Sequence, residues 1–123
     1  GTADFPAFYC RKSGFGVDYA AKDEAEIASI IHTKWALGLE GGVLIGNPIP
    51  EEYALDYDYM EGVITQALAE ADQKGVRGKD ITPFMLAKVK EMTKGVSFAS
   101  NVQLAYNNAR VAAKISKALS QLN

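Results

Sequence analysis

Apolar and polar positions along this chain change period several times, and each change predicts an element. Phe5 to Cys10 is a short, aromatic, strand-like run, the loop Arg11-Lys12-Ser13-Gly14 follows it, and Gly16 to Ala20 reads as a second strand. The period then lengthens to that of a helix. Ile27, Ile30, Ile31 and Trp35 fall at i, i+3, i+4 and i+8, one face of a helix. Asp23 stands at its N-cap, with Glu26 at capping-box spacing, and Gly38 and Gly41-Gly42 end it. Val43-Leu44-Ile45 then runs without polar alternation between Gly42 and Gly46, the pattern of a strand buried on both faces inside a parallel or mixed sheet. Pro48 and Pro50 cannot donate to a ladder, so this strand stops near Gly46. Asn47 therefore falls just past the carboxyl end of a buried strand, the edge where open α/β sheets bind ligands.

The remainder is helical. Tyr57 to Lys74 carries the stripe Met60, Val63, Ile64, Ala67, Leu68 and Ala71, with Gly75 suited to the position after the C-cap. Thr82-Pro83 supplies an N-cap followed by proline for the next helix, whose inward positions are Leu86 and Val89, with Met85 and Met92 beside them and Gly95 as the stop. Ser97 or Ser100 opens a long last helix to about Leu119, and its stripe is Phe98, Val102, Ala105, Ala109, Ala112 and Ala113. The order β-β-α-β-α-α-α predicts a helix-rich α/β unit over residues 1–123, without repeats or a linker. Two short strands and one buried strand cannot complete a sheet. Such a chain pairs with another or forms part of something longer, because open sheet edges and apolar faces need cover.

Composition narrows the classes. Hydrophobic residues make up 48% of the 123 and the formal net charge is −2, so one sizeable core is expected and nothing marks a nucleic-acid or anionic-membrane surface. The basic residues are scattered, with Arg11 and Lys12 the one adjacent pair. Cys10 is the sole cysteine, so no internal disulfide forms, which fits a reducing, cytoplasmic compartment. No stretch reaches the roughly 18 apolar residues of a membrane span, and the amino end does not read as a signal peptide.

Several blocks carry a family resemblance. Thr2-Ala3-Asp4-Phe5-Pro6-Ala7-Phe8-Tyr9, Ser13-Gly14-Phe15, Lys34-Trp35-Ala36-Leu37-Gly38-Leu39, Gly41 to Glu52, Gly78-Lys79-Asp80-Ile81-Thr82-Pro83-Phe84, and Ser100-Asn101 through Asn107-Asn108-Ala109 are similar to the pseudouridine-5′-phosphate glycosidases, also called the indigoidine synthase A-like family. Gly46-Asn47-Pro48-Ile49-Pro50-Glu51-Glu52 is the most distinctive. The similarity runs along essentially the whole chain and implies the carboxyl-terminal portion of a longer glycosidase domain, with a three-layer α/β/α fold and a mixed sheet. It implies reversible cleavage of the carbon–carbon glycosidic bond of pseudouridine 5′-phosphate to uracil and ribose 5-phosphate. It also implies Mn2+, a homotrimer and a cytoplasmic location. In the family a lysine forms a Schiff base with the opened ribose, a carboxylic acid manages the proton on the uracil carbon, and an aspartate helps hold the metal. All three lie upstream of Gly1, so the expectation is a chain inactive by itself, completed by the upstream half of the same enzyme. Lys34 and Lys79 stand in the wrong motifs to replace the nucleophile. The competing expectation is a non-catalytic fragment or binding module that keeps the fold.

Substrate-binding candidates follow from both readings. Asn101 offers a donor and an acceptor, matching the edge of a uracil ring, and the resemblance implies that an asparagine of this Ser-Asn block contacts the base. It also suits a helix-start hydrogen bond. Asn47 either reaches a ligand or shapes an Asn-Pro turn. Phe5 and Phe8 either wall a base pocket or pack a core. Asn107 and Asn108, unfavourable in mid-helix, imply at least one buried polar contact, structural rather than catalytic. His32 has no partner at metal-ligand spacing, and Glu51, Glu52, Asp56 and Asp58 are read as the start of a helix rather than a cation site. Thr82-Pro83 is read as a cap before a phosphate site, and Cys10 as buried rather than nucleophilic.

Overall fold

The computed structural model describes residues 1–122, and four α-helices carry its architecture: α1 (Glu24–Ala36), α2 (Tyr57–Gln73), α3 (Ile81–Met92) and α4 (Val96–Ser120). Short 3₁₀ turns at Glu51–Tyr53 and Gly78–Asp80 precede α2 and α3. The Asp23 carboxylate accepts the Glu26 N–H at 2.9 Å, as the capping spacing predicts. Asp56 caps α2 in the same way through the Tyr59 N–H at 2.8 Å. Gly75, at φ +69°, ends α2 in the left-handed conformation that a glycine reaches without strain.

The expected strands are where sequence and structure differ. Among the described residues no ladder forms. The two amino-terminal runs meet only at an isolated antiparallel bridge between Asp4 and Gly16, flanked by Phe5 N–H to Phe15 O at 2.8 Å and Val17 N–H to Ala3 O at 2.9 Å. Val43-Leu44-Ile45, with the pattern of a doubly buried strand, lies exposed, with Leu44 83% accessible. A strand exists through its neighbours' hydrogen bonds, and among the described residues no backbone hydrogen bond reaches this run. A mixed sheet is therefore not formed by these residues.

Two packing layers hold the helices. α2 pairs with α3, and the amino-terminal segment inserts Tyr9 and Cys10 between them, where they meet Met60, Val63, Ala67 and Val89. This cluster follows the predicted α2 stripe, but Leu68 faces out. α3 starts earlier than predicted, at Ile81, because the Gly78–Asp80 turn winds directly into it. Pro83 is thus its third residue, still where an N–H has no intrahelical acceptor. Met85 and Met92 flank buried Val89, while Leu86 is exposed.

α1 packs along α4. Ala28 is fully buried and Ile31 nearly so, whereas Ile30 and Trp35 turn outward, Trp35 at 59% exposure. A small residue at the contact lets the two axes approach, and this rotates the larger predicted face away. α4 departs furthest. Its buried residues are Ser97, Ser100, Leu104 and Ile115, and the stripe Phe98, Ala105, Ala109, Ala112 and Ala113 faces solvent. The accessible surface totals 8304 Å². A compact monomer of 13.3 kDa exposes about 6,500 Å².

Candidate cleft along α4

Hydrogen bonds explain which face α4 turns inward. The Ser100 hydroxyl donates to Tyr53 O at 2.8 Å, Asn107 Nδ2 to Pro48 O at 3.4 Å, and Asn47 Nδ2 to Asn108 Oδ1 at 2.9 Å. Arg11 closes the same segment from the other side, its guanidinium donating to Ile49 O at 2.6 Å. Residues 47–53, whose prolines leave gaps in their own hydrogen bonding, are thus fastened along the polar positions of α4.

Upstream of these ties the exposed apolar run forms one wall of a cleft of about 550 Å³, a volume suited to a small molecule. Phe5, Arg11, Ile27, Ile45, Asn47 and Val111 are among its lining. A second cleft of about 490 Å³ lies between this run and the carboxyl half of α4, and shares Ile45, Asn47 and Val111 with the first. The structure therefore brings two of the expected residues, Phe5 and Asn47, to one concavity.

Asn101 lines neither cleft. It stands half-buried on α4, seven residues before Asn108 and so on the same helix face, about 10 Å away along the axis. Its carboxamide makes no hydrogen bond among the described residues, so the expected helix-start bond is not made. The start of α4 is instead served by Thr93, whose Oγ1 accepts the Ser97 N–H at 3.1 Å. Asn107 and Asn108 both make polar contacts, but the one at Asn107 is only half-buried and the one at Asn108 is exposed. Asn47 does more than shape a turn, since its amide reaches across to α4.

Arg11 and Val111 line the cleft without having stood out in the sequence. The Arg11-Lys12 pair signals charge only, and Val111 sits one turn beyond the asparagines on the face they define. Lys34 is occupied elsewhere, for its ammonium donates to Leu39 O, Glu40 O and Gly41 O at 2.8, 3.0 and 2.7 Å. All three of its N–H bonds hold the loop that leads into the apolar run.

Nucleophile and metal chemistry find little support in these residues. Cys10 is buried, and burial first, then Asp56 and Glu61, push its thiol above the ordinary value, so the thiolate is disfavoured. Among the described residues no three His, Cys, Asp or Glu side chains group to hold an ion. The donor set for a resident divalent metal is not met here, and no step is derived through one. No helix among the described residues is long and apolar enough to cross a membrane.

Similarity to known proteins extends along nearly the whole chain. Residues 1–118 match the family model described as indigoidine synthase A-like protein. The chain is 57% identical over 98% of its length to the pseudouridine-5′-phosphate glycosidase of Caldanaerobacter subterraneus subsp. tengcongensis, and 54% identical over its full length to the enzyme of that name from Clostridium botulinum. It spans 39% and 40% of those relatives' lengths. Among solved structures it is similar to the prealnumycin C-glycosynthase in complex with ribulose 5-phosphate, with TM-score 0.86 and 30% identity, covering 98% of this chain and 40% of that one. It is also similar to an indigoidine synthase A-like protein from Thermotoga maritima, with TM-score 0.81 and 33% identity, covering 99% and 39%.

Proposed function

This chain belongs to the indigoidine synthase A-like family, and on that premise we propose that it is the carboxyl-terminal portion of a pseudouridine-5′-phosphate glycosidase. One observation carries the reading: more than half of its residues are identical to enzymes of that name across almost its entire length. The reaction breaks the carbon–carbon bond between uracil and the ribose of pseudouridine 5′-phosphate. The uracil carbon gains a proton, and the oxygen of water ends on the anomeric carbon of ribose 5-phosphate.

In this reading the chain binds and orients substrate. Asn101, with no protein partner among the described residues, offers its carboxamide to the base. Phe5 and Asn47 line the cleft beside it, with an aromatic face and an amide. The lysine that attacks the sugar, the acid that moves the proton and the ligands of Mn2+ belong to the longer polypeptide, as do the strands that complete a three-layer mixed sheet. Exposed apolar surface on α4 and on Val43 to Ile45 supports cover by further chain and by sister subunits in a trimer. The free, buried Cys10 and the family's small phosphorylated substrate support a cytoplasmic enzyme.

The test is uracil release from pseudouridine 5′-phosphate by the whole native polypeptide with Mn2+. Release is expected, with its loss on chelation and none at all from residues 1–123 alone. A whole polypeptide that releases no uracil with the metal present overturns the assignment and leaves the non-catalytic binding module.

A further inference from the structure

Lys34 stands in the last turn of α1, yet its ammonium serves none of that helix's carbonyls. The helix end is closed by backbone bonds: Leu37 N–H donates to Thr33 O at 3.0 Å, Gly38 N–H to Trp35 O at 3.0 Å and Leu39 N–H to Lys34 O at 3.1 Å. The ammonium reaches past that end, to the carbonyls of Leu39, Glu40 and Gly41 at 2.8, 3.0 and 2.7 Å. Three consecutive carbonyls face one point only where the backbone turns, and Gly38 and Gly41, at φ +69° and +89°, supply the turns. Among the described residues Lys34 makes no ion pair, so its protein partners are carbonyl dipoles. Nothing else in the described residues holds the stretch that follows. Residues 37–44 are exposed, and a Cβ added at Gly38, Gly41 or Gly42 would meet open space. Among the described residues, the bonds from Lys34 are the only hydrogen bonds made to residues 40–46. The apolar wall of the cleft begins at Val43, directly after them.

We propose that the Leu39, Glu40 and Gly41 carbonyls form a monovalent-cation cradle whose resident ion is the Lys34 ammonium, and that this tethered ion positions the cleft wall from Val43 onward. Lysine is a compact point charge with three donors, which matches three convergent carbonyls, whereas the planar fork of an arginine does not. Divalent ions are held with the help of carboxylates, and none lies among these donors. Potassium, by contrast, exchanges its water for backbone carbonyls, and ammonium presents the same charge to them. The cradle stands apart from the glycosidase reading. Its effect on substrate rests on that reading, and makes Lys34 a positioning residue that acts through the loop.

The experiment uses the whole native polypeptide and a glutamyl endopeptidase, which cuts between Glu40 and Gly41 when the loop opens. Lys34→Met keeps the apolar stem, ends short of the ammonium's place and matches lysine in helix propensity, so α1 is not at risk. In choline chloride the variant is expected to be cut there about tenfold faster than the wild type, the order of a lost set of charged hydrogen bonds at a surface. Potassium or ammonium chloride at the same ionic strength is expected to return it to within about twofold of the wild type measured in the same salt. The KM for pseudouridine 5′-phosphate is expected to rise about fivefold in the variant in choline, with kcat within about twofold, and to recover with potassium. Equal cutting of variant and wild type overturns the proposal. So does faster cutting that neither potassium nor ammonium reverses, which makes Lys34 a plain tether. A KM that stays fixed while the loop opens and closes overturns the positioning of the cleft wall. A wild type that releases no uracil refutes the glycosidase reading and the KM effect with it, and the cutting rates decide the cradle in either case.

Discussion

Lys94 is the one described residue other than glycine with a positive φ, at +52°, and it stands beside Gly95 at φ +87° in the joint between α3 and α4. A side chain in the left-handed region costs about 1 kcal/mol, because Cβ crowds the following carbonyl. Lys94→Asn, which tolerates that region, is expected to raise stability by about 0.5–1 kcal/mol, read as a higher urea midpoint with an unchanged slope. Gly95→Ala in the same joint is expected to lower it by about 1–2 kcal/mol. The glycine half of this joint is legible in the sequence, since a glycine between two helical patterns marks a stop. The lysine half is not, for its backbone is set by where α3 and α4 must meet. The same division applies in the cleft. Asn107 and Asn108 announce a polar contact by sitting where asparagine disfavours helix, but nothing local says that Asn108 finds Asn47.

Whole elements are legible in proportion to how many independent signals agree. α2 has an acidic cap, a sustained apolar stripe and a left-handed glycine at its end, and it forms where those signals place it. α4 turns a different face inward because its inner line is chosen by hydroxyl and carboxamide bonds to residues 48–53, which hydrophobic periodicity cannot register. The α2–α3 pair is joined by Glu70, which lies 2.6 Å from Lys74 just beyond its own helix and 2.9 Å from Lys88 of α3. These hydrogen bonds, from Lys74 first and Lys88 second, lower the Glu70 pKa below its ordinary value. A carboxylate whose folded pKa is depressed contributes stability above its unfolded pKa and loses it as pH falls through the folded one. Glu70→Gln is therefore expected to lower the melting temperature at neutral pH. Its deficit against the wild type should shrink as pH drops below about 4, which melting curves across pH 7 to 3 would reveal.

At the scale of the molecule, these residues leave more surface exposed than their mass warrants, 8304 Å² against about 6,500 Å². The difference is of the order of a large protein–protein interface on one partner. Leu44, at 83% exposure, is its clearest marker. Leu44→Lys is expected to make residues 1–123 alone more soluble and less prone to bind a hydrophobic dye. The same change in the whole polypeptide should destabilise it by about 2 kcal/mol or more, because on the glycosidase reading the run is buried there. Equal and negligible effects in both would mean that the apolar run is surface in either setting. The strand pattern of Val43 to Ile45 states a demand for burial, and the neighbour that would meet it is not among these residues.

One consequence follows from α4 being a single unbroken rod of 25 residues, about 37 Å long. Its inner side carries Asn107 and Asn108, and its outer side carries Phe98, Ala109 and Ala113. A rod cannot bend one flank without the other. Whatever neighbour grips the outer alanines also sets the height and tilt of the asparagines, so assembly and ligand alignment share one mechanical part. Selection on either is then felt by both, and a change at the outer flank that shifts α4 by a fraction of an ångström registers as altered binding in a cleft it never touches.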